Sequence, residues 1–178
     1  MKDKKLNPSV RAAFCGILTS LAVVFLLIVP LMPIAVYCCP VLSGICVALA
    51  AEELGVKSAS MVYFAASALS VIIVADKEAV SVFILLMGVY PLLRKLISNI
   101  SLKICLIIKL IYINAASIAY YFAAVIILGV PRDSFGVAPL VLLAAANILM
   151  LMYDIAIRNI MLLYTVKFRK RILKGAFQ

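Results

Sequence analysis

Long apolar runs separated by short polar breaks make up almost the whole chain. Roughly 20 apolar residues are enough to cross the hydrocarbon core of a bilayer as a helix. The pattern therefore predicts an all-α integral membrane protein, a single domain over 1–178 with six transmembrane helices at about 12–29, 34–51, 58–74, 79–93, 104–128 and 139–164. The division of 58–93 into two full spans is the boundary that most needs a structural test, because both runs are short.

Composition supports this class of protein. Hydrophobic residues account for 67% of the chain and charged residues for 13%, and the mean hydropathy is +1.25. So apolar a chain leaves no room for a soluble catalytic domain. It also contains no histidine, no zinc-ligand spacing and no nucleophile or phosphate-loop motif. We therefore expect no enzyme activity, no metal and no cofactor, and we interpret the five cysteines as small packing residues.

The basic residues are distributed unevenly along the predicted topology. Of the 17 Lys and Arg residues, all but Lys77 and Arg132 fall on the side of the two termini. The positive-inside rule then places both termini in the cytoplasm and the chain in the cytoplasmic membrane. This distribution accounts for the net charge of +10 without nucleic acid as a partner. We expect 94–103 to form a basic loop, with a short surface helix as the alternative, and Lys109 to extend its ammonium group back to the membrane surface.

The last span carries three polar residues on one helical face: Asn147, Asp154 and Arg158. A charged side chain facing lipid is costly, so this face should point into the bundle. Asp154 stands four residues before Arg158, which is the favoured order for an ion pair within a helix. We predict an intramembrane pair between them that holds helices in register. A proton relay at Asp154 is the alternative.

The fifth span presents a second polar face, with Asn114, Ser117 and Tyr121 spaced three and four residues apart. From a rise of about 1.5 Å per residue, Tyr121 and Asn147 lie at similar depths in the outer half of the bundle. A pocket open to the outside is one hypothesis, and its predicted ligand-binding residues are Tyr37, Asp76, Glu78, Asn114, Ser117, Tyr121 and Asn147. Routine hydrogen bonding between helices is the other.

The first span begins with Arg11-Ala12-Ala13-Phe14-Cys15-Gly16-Ile17-Leu18-Thr19-Ser20. This stretch resembles the Ala-x-x-x-Ala motif of the substrate-binding (S) components of energy-coupling factor transporters, with Gly16 in place of the second alanine. The six-helix layout and the cytoplasmic termini also resemble that family. The resemblance implies capture of a small solute near the outer face. It also implies a transmembrane coupling subunit and two ATPases as partners, with Ala12, Gly16 and Ser20 as the docking ridge. It names no solute.

Two other interpretations remain open at this stage. The size and layout are also similar to those of rod-shape membrane proteins that scaffold cell-wall synthesis, which implies a stable protein partner and no ligand. A small secondary carrier acting alone is the third interpretation, but it would need more intramembrane ionisable groups than the spans contain.

Overall fold

The computed structural model describes residues 8–31, 35–99, 102–126 and 139–168. Within these ranges every regular element is helical, and six helices are long and apolar enough to cross a membrane. The predicted all-α class and the predicted number of spans are thus confirmed for the described residues. The interval 58–93 does hold two of these six helices.

The helices follow one another along the chain with short connections. They are α1 (Pro8–Ile28), α2 (Ala35–Glu53), α3 (Val56–Ile73), α4 (Lys77–Val82), α5 (Val89–Leu96), α6 (Leu102–Ile126) and α7 (Pro139–Leu163). A π-helical turn, Phe83–Met87, joins α4 to α5, and the three pieces together form the fourth span, Lys77–Leu96. Short 3-10 turns follow α1 and α5, and a second π-helical turn follows α7.

Small residues allow α1, α2 and α3 to pack closely. Ala22, Ala50, Ala59 and Ala66 are fully buried where these helices meet. A neighbouring backbone can approach a helix most closely where side chains are this small, which increases van der Waals contact in the absence of a hydrophobic driving force. The Ser43 hydroxyl adds a hydrogen bond from α2 to the backbone carbonyl of Ala22 on α1.

The fourth span lies at the centre of the fold. One hydrophobic cluster joins it to the first three helices through Phe83, which is fully buried. A second cluster joins it to α6 and α7 through Met87, Tyr90, Met150 and Tyr153. The outer surfaces of α6 and α7 are mostly exposed and apolar, as expected of helices that contact lipid.

Contacts between helix ends show which ends lie together. Arg11 at the start of α1 donates hydrogen bonds to the carbonyl of Leu54 (3.0 Å) and the hydroxyl of Ser58 (2.9 Å), at the turn between α2 and α3. Lys95 at the end of α5 contacts Glu52 at the end of α2. We call this the basic end of the bundle; it is where α1 begins and α7 ends. Which side of the membrane it faces stays a prediction.

One predicted boundary is wrong. The proposed basic loop at 94–103 begins too early, because α5 continues to Leu96 and a 3-10 turn, Ile97–Asn99, follows it. Arg94 and Lys95 are therefore helical residues with defined partners rather than loop cations. Their ion pairs with Asp154 and Glu52 stabilise the last turn of α5 in this position.

Candidate functional site

A charged cluster joins three helices inside the bundle. The Asp154 carboxylate on α7 accepts a hydrogen bond of 2.7 Å from the Lys109 ammonium group on α6. Its other oxygen lies 3.2 Å from Nε of Arg94 on α5. The three side chains are only 19–26% exposed. Charges inside a helical bundle in a membrane require partners, and here each carboxylate oxygen lies within ion-pair distance of a cation.

This arrangement corrects two predictions. Asp154 pairs with Arg94 and Lys109, and among the described residues it forms no ion pair with Arg158, whose side chain is exposed. Lys109 does not return to the membrane surface, because Asp154 lies within reach on the neighbouring helix. Arg94 on α5 and Lys109 on α6 pair with Asp154 in place of Arg158, the predicted partner on the same helix.

The cluster has more positive than negative charge. Two cations share the single carboxylate of Asp154, and the Lys109 ammonium group also lies 5.9 Å from the centre of the Tyr90 ring, a cation–π distance. Arg94 presents five N–H donors in a planar fork, and one carboxylate cannot use all of them. The cluster therefore carries positive charge that Asp154 alone does not neutralise.

Tyrosine hydroxyls satisfy the interrupted backbone of the fourth span. In the π-helical turn the amide of Gly88 donates to the carbonyl of Phe83 (2.7 Å), so the carbonyl of Ile84 loses its usual donor four residues on. Pro91 has no N–H, so the carbonyl of Met87 loses its donor as well. An unsatisfied carbonyl in the membrane core is costly, and these positions require donors from other helices.

Tyrosines on α3 and α7 supply those two donors, and a tyrosine on α6 bonds to a third carbonyl beside them. Tyr63 on α3 donates to the carbonyl of Ile84 at 2.9 Å. Tyr112 on α6 donates to that of Leu85 at 2.7 Å, and Tyr153 on α7 donates to that of Met87 at 3.0 Å. The backbone of α2 also lies close to that of the fourth span at this point. A Cβ on Gly44 of α2 would lie 2.6 Å from the Met87 carbonyl oxygen. Each of these hydroxyls gives its one donor proton to the backbone of the fourth span.

Asparagine side chains connect α6 and α7 at a level further from the basic end than the charged cluster. The Asn147 amide donates to the Asn114 side-chain oxygen at 3.3 Å, and Asn114 also donates to the carbonyl of Leu110 at 2.9 Å. One turn further along α6, the Ser117 hydroxyl oxygen is buried and has no hydrogen-bond partner among the described residues. The structure thus brings together three of the predicted ligand-binding residues.

The remaining predicted ligand-binding residues lie nearer the end opposite the basic end. Glu78 accepts a hydrogen bond of 3.2 Å from the hydroxyl of Tyr120, while Tyr37 on α2 is 52% exposed. Asp76 caps the first turn of α4 by accepting hydrogen bonds from the amides of Glu78 and Ala79. Tyr121 packs edge-on against Phe122, with ring centres 6.0 Å apart.

We use the term polar seam for the three contacts that α6 makes along its length: Tyr120–Glu78, Asn114–Asn147 and Lys109–Asp154. At about 1.5 Å per residue, the seam covers roughly 16 Å along α6. It begins at the exposed carboxylate of Glu78 and the partly buried phenol of Tyr120, and it ends at the partly buried cation cluster. Its hydrogen-bonding groups include donors, acceptors and both signs of charge.

The predicted docking residues lie on one face of α1. Ala12, Gly16 and Ser20 are all exposed, and nothing lies within 4 Å of the position that a Cβ on Gly16 would occupy. The Ser20 hydroxyl donates to the carbonyl of Ile17 within the same helix, at 2.9 Å. No described residue covers this ridge.

Several residues of the site were missed by the sequence analysis. It did not identify Arg94 and Tyr90 as neighbours of Asp154. It also did not identify the tyrosines that donate hydrogen bonds to backbone carbonyls of the fourth span. It chose Tyr121 where Tyr120 meets Glu78. Pro91 inside a predicted span was the available signal for freed carbonyls, and Lys109 inside an apolar run was a signal for a buried partner.

Comparison with protein-family models, with curated proteins and with solved structures found no match to this chain. Its class therefore follows from the fold alone. Six apolar spans, with intramembrane charges that are paired between helices, define a multi-pass membrane protein.

Proposed function

We propose that this chain is the solute-binding subunit of a multi-subunit membrane transporter of the energy-coupling factor type, and that the polar seam is its solute site. The observation that carries the proposal is the succession of polar contacts along α6. Polar side chains of α6 meet partners on α4 and α7 at three successive depths. Helix association alone needs fewer such groups, because small residues and van der Waals contact suffice.

The chemistry of the seam favours a small polar solute with an anionic group. Asn114 and Asn147 offer both donors and acceptors, and their mutual bond of 3.3 Å is long enough to be exchanged readily for a bond to a solute. Arg94 and Lys109 supply positive charge beyond what Asp154 neutralises. The buried Ser117 oxygen supports the same interpretation, since a solute hydroxyl or amide would satisfy it.

An energy source must come from partners, since the sequence contains no phosphate-binding loop for ATP. The ridge of Ala12, Gly16 and Ser20 is the surface we assign to the coupling subunit. It is exposed and free of bulky side chains, so a partner helix can approach its backbone closely. Lipid covers this face when the partner is absent.

Affinity purification from the native host in mild detergent, followed by mass spectrometry, tests the assembly. We expect a transmembrane coupling subunit and a pair of ATPases to copurify with the wild-type chain. Gly16→Leu should abolish their recovery without loss of fold, because the added side chain enters open space. Ala65→Leu, at an exposed position on α3, is the matched control and should retain them.

The alternative function, a non-enzymatic scaffold of the cell envelope, predicts a different result. Cell-wall or division proteins would then copurify, and variants of the seam would have no effect on any solute. Equal recovery of coupling subunit and ATPases with wild type and Gly16→Leu would contradict the docking face.

A thermal-shift screen of small solutes tests the seam directly. A solute that stabilises the wild type should lose its effect in Asn147→Ala. It should keep that effect in Asn159→Ala, which removes an exposed amide from the same helix. If the solute stabilises both variants as much as the wild type, the seam is not the binding site.

A further inference from the structure

A cavity of about 380 Å³ lies at the basic end, separate from the outer part of the seam. Its walls come from the ends of α2, α5 and α7, with contributions from the turns that follow α5 and α7. Ligand pockets in proteins commonly begin at about 300 Å³, so a headgroup-sized ligand fits.

Cations predominate in the lining of this cavity. Arg94, Lys95 and Arg158 face it, against Glu52 as the carboxylate among the described lining residues. Lys95 is paired with Glu52 at 2.7 Å, and Arg94 is shared with Asp154. No described carboxylate forms an ion pair with Arg158, whose side chain is exposed. A guanidinium group in this position has its donors available.

Most of the remaining lining residues are apolar, with Ser98 and Thr165 as the polar exceptions. Ala48 and Ile157 form part of the wall, and Met161 and Leu162 on α7 continue it to the lipid-facing surface, where Leu162 is 57% exposed. A cavity lined by cations together with apolar side chains that reach an exposed surface fits a ligand that has an anionic head and a hydrocarbon tail.

We propose that this cavity binds a phosphate group, and that the phosphate is the headgroup of an anionic phospholipid. Arg158 is the principal contact, because its fork of N–H donors matches the oxygens of a phosphate and no described carboxylate competes for it. Arg94 and Lys95 on α5 add positive charge to the same cavity. The site does not rest on the proposed transport function: Arg94 lies at both sites, but Arg158, the principal contact, takes no part in the polar seam.

The test compares three additives on the full-length protein purified in neutral detergent. These are phosphatidylglycerol, phosphatidylcholine with the same acyl chains, and inorganic phosphate. We expect phosphatidylglycerol to raise the apparent melting temperature and to remain bound in native mass spectra, and phosphatidylcholine to do neither. Stabilisation by inorganic phosphate as well as by the lipid would support the phosphate site but assign it to a free anion.

Two substitutions that remove charges of opposite sign from the cavity lining distinguish a binding site from a structural effect. Arg158→Gln should weaken phosphatidylglycerol binding about fivefold, equivalent to about 1 kcal/mol for one cation near a membrane surface. Glu52→Gln should strengthen it, because it removes a negative charge from the lining. Lys57→Gln, an exposed cation on α3 that is not in the described lining, is the control and should leave binding unchanged.

Two results would overturn the proposal. One is equal retention of phosphatidylglycerol and phosphatidylcholine by the wild type. The other is a change of the same sign in Arg158→Gln and Glu52→Gln. Melting temperatures measured without lipid show that each variant is folded, so that loss of binding is not mistaken for loss of structure.

Discussion

Replacing Asp154 by asparagine tests the charged cluster that joins α5, α6 and α7. The substitution preserves the size of the side chain but leaves Arg94 and Lys109 close together with no carboxylate between them. Replacing Lys109 by methionine has a smaller effect, because Arg94 and Asp154 remain as a neutral pair. We therefore expect Asp154→Asn to destabilise the protein more than Lys109→Met.

The size of the expected loss of stability follows from how far the three side chains are exposed. Breaking a fully buried ion pair costs about 3–5 kcal/mol, and breaking an exposed one about 0.2–1 kcal/mol. With side chains 19–26% exposed, an intermediate value of about 2 kcal/mol is appropriate for Asp154→Asn and about 1 kcal/mol for Lys109→Met. For a protein of this size, each kcal/mol lowers the melting temperature by about 2–4 °C. We expect losses of about 4–8 °C and 2–4 °C respectively.

A thiol-reactive fluorescent dye is the suitable assay. The chain has no tryptophan, while Cys46 is only 2% exposed and becomes reactive when the bundle opens. The double variant Asp154→Asn with Lys109→Met should lose less stability than the sum of the single losses, since it leaves one cation rather than two. Single losses that add to within about 0.5 kcal/mol would refute a direct interaction.

Three further predictions concern the fourth span. Gly44→Ala places a methyl group 2.6 Å from the Met87 carbonyl oxygen, and overpacking of this kind costs about 1–3 kcal/mol; an unchanged melting temperature would contradict the close approach. Tyr112→Phe removes a hydroxyl donor at 2.7 Å, so hydrogen exchange in the π-helical turn should accelerate, with a loss of about 1 kcal/mol. Glu78→Gln retains an acceptor for Tyr120 at an exposed site, so the melting temperature should change by no more than about 1 °C.

The number of spans could be predicted from the sequence because it depends on local properties. An apolar run of sufficient length has to be helical in a bilayer, where each backbone polar group needs a partner within the segment. Even the short fourth run was identified, although it holds a π-helical turn. A π-helical turn changes which backbone groups are hydrogen-bonded to each other, but it does not change which residues are apolar. A hydropathy pattern therefore does not reveal it.

Partners between helices could not be predicted in the same way. Asp154 has Arg158 four residues away, but it pairs with Lys109 and Arg94, which lie 45 and 60 positions earlier in the chain. Local spacing shows which pairs can form on one helix, whereas packing decides which cations come closer. The contact between Tyr120 and Glu78 was missed for a related reason: adjacent residues differ by about 100° in direction, and the inward face of α6 is set by its neighbours.

The polar groups of this bundle differ in how much hydrogen-bonding capacity they have left. Each of the tyrosine hydroxyls at the fourth span gives its single proton to a backbone carbonyl, so it has no donor left for a ligand. The guanidinium groups of Arg94 and Arg158 keep donors beyond those that described carboxylates use. Arg94 lies both beside Asp154 and on the wall of the cavity. A phosphate bound there would therefore compete with Asp154 for the same guanidinium group, and the charge state of the seam would depend on what occupies the basic end.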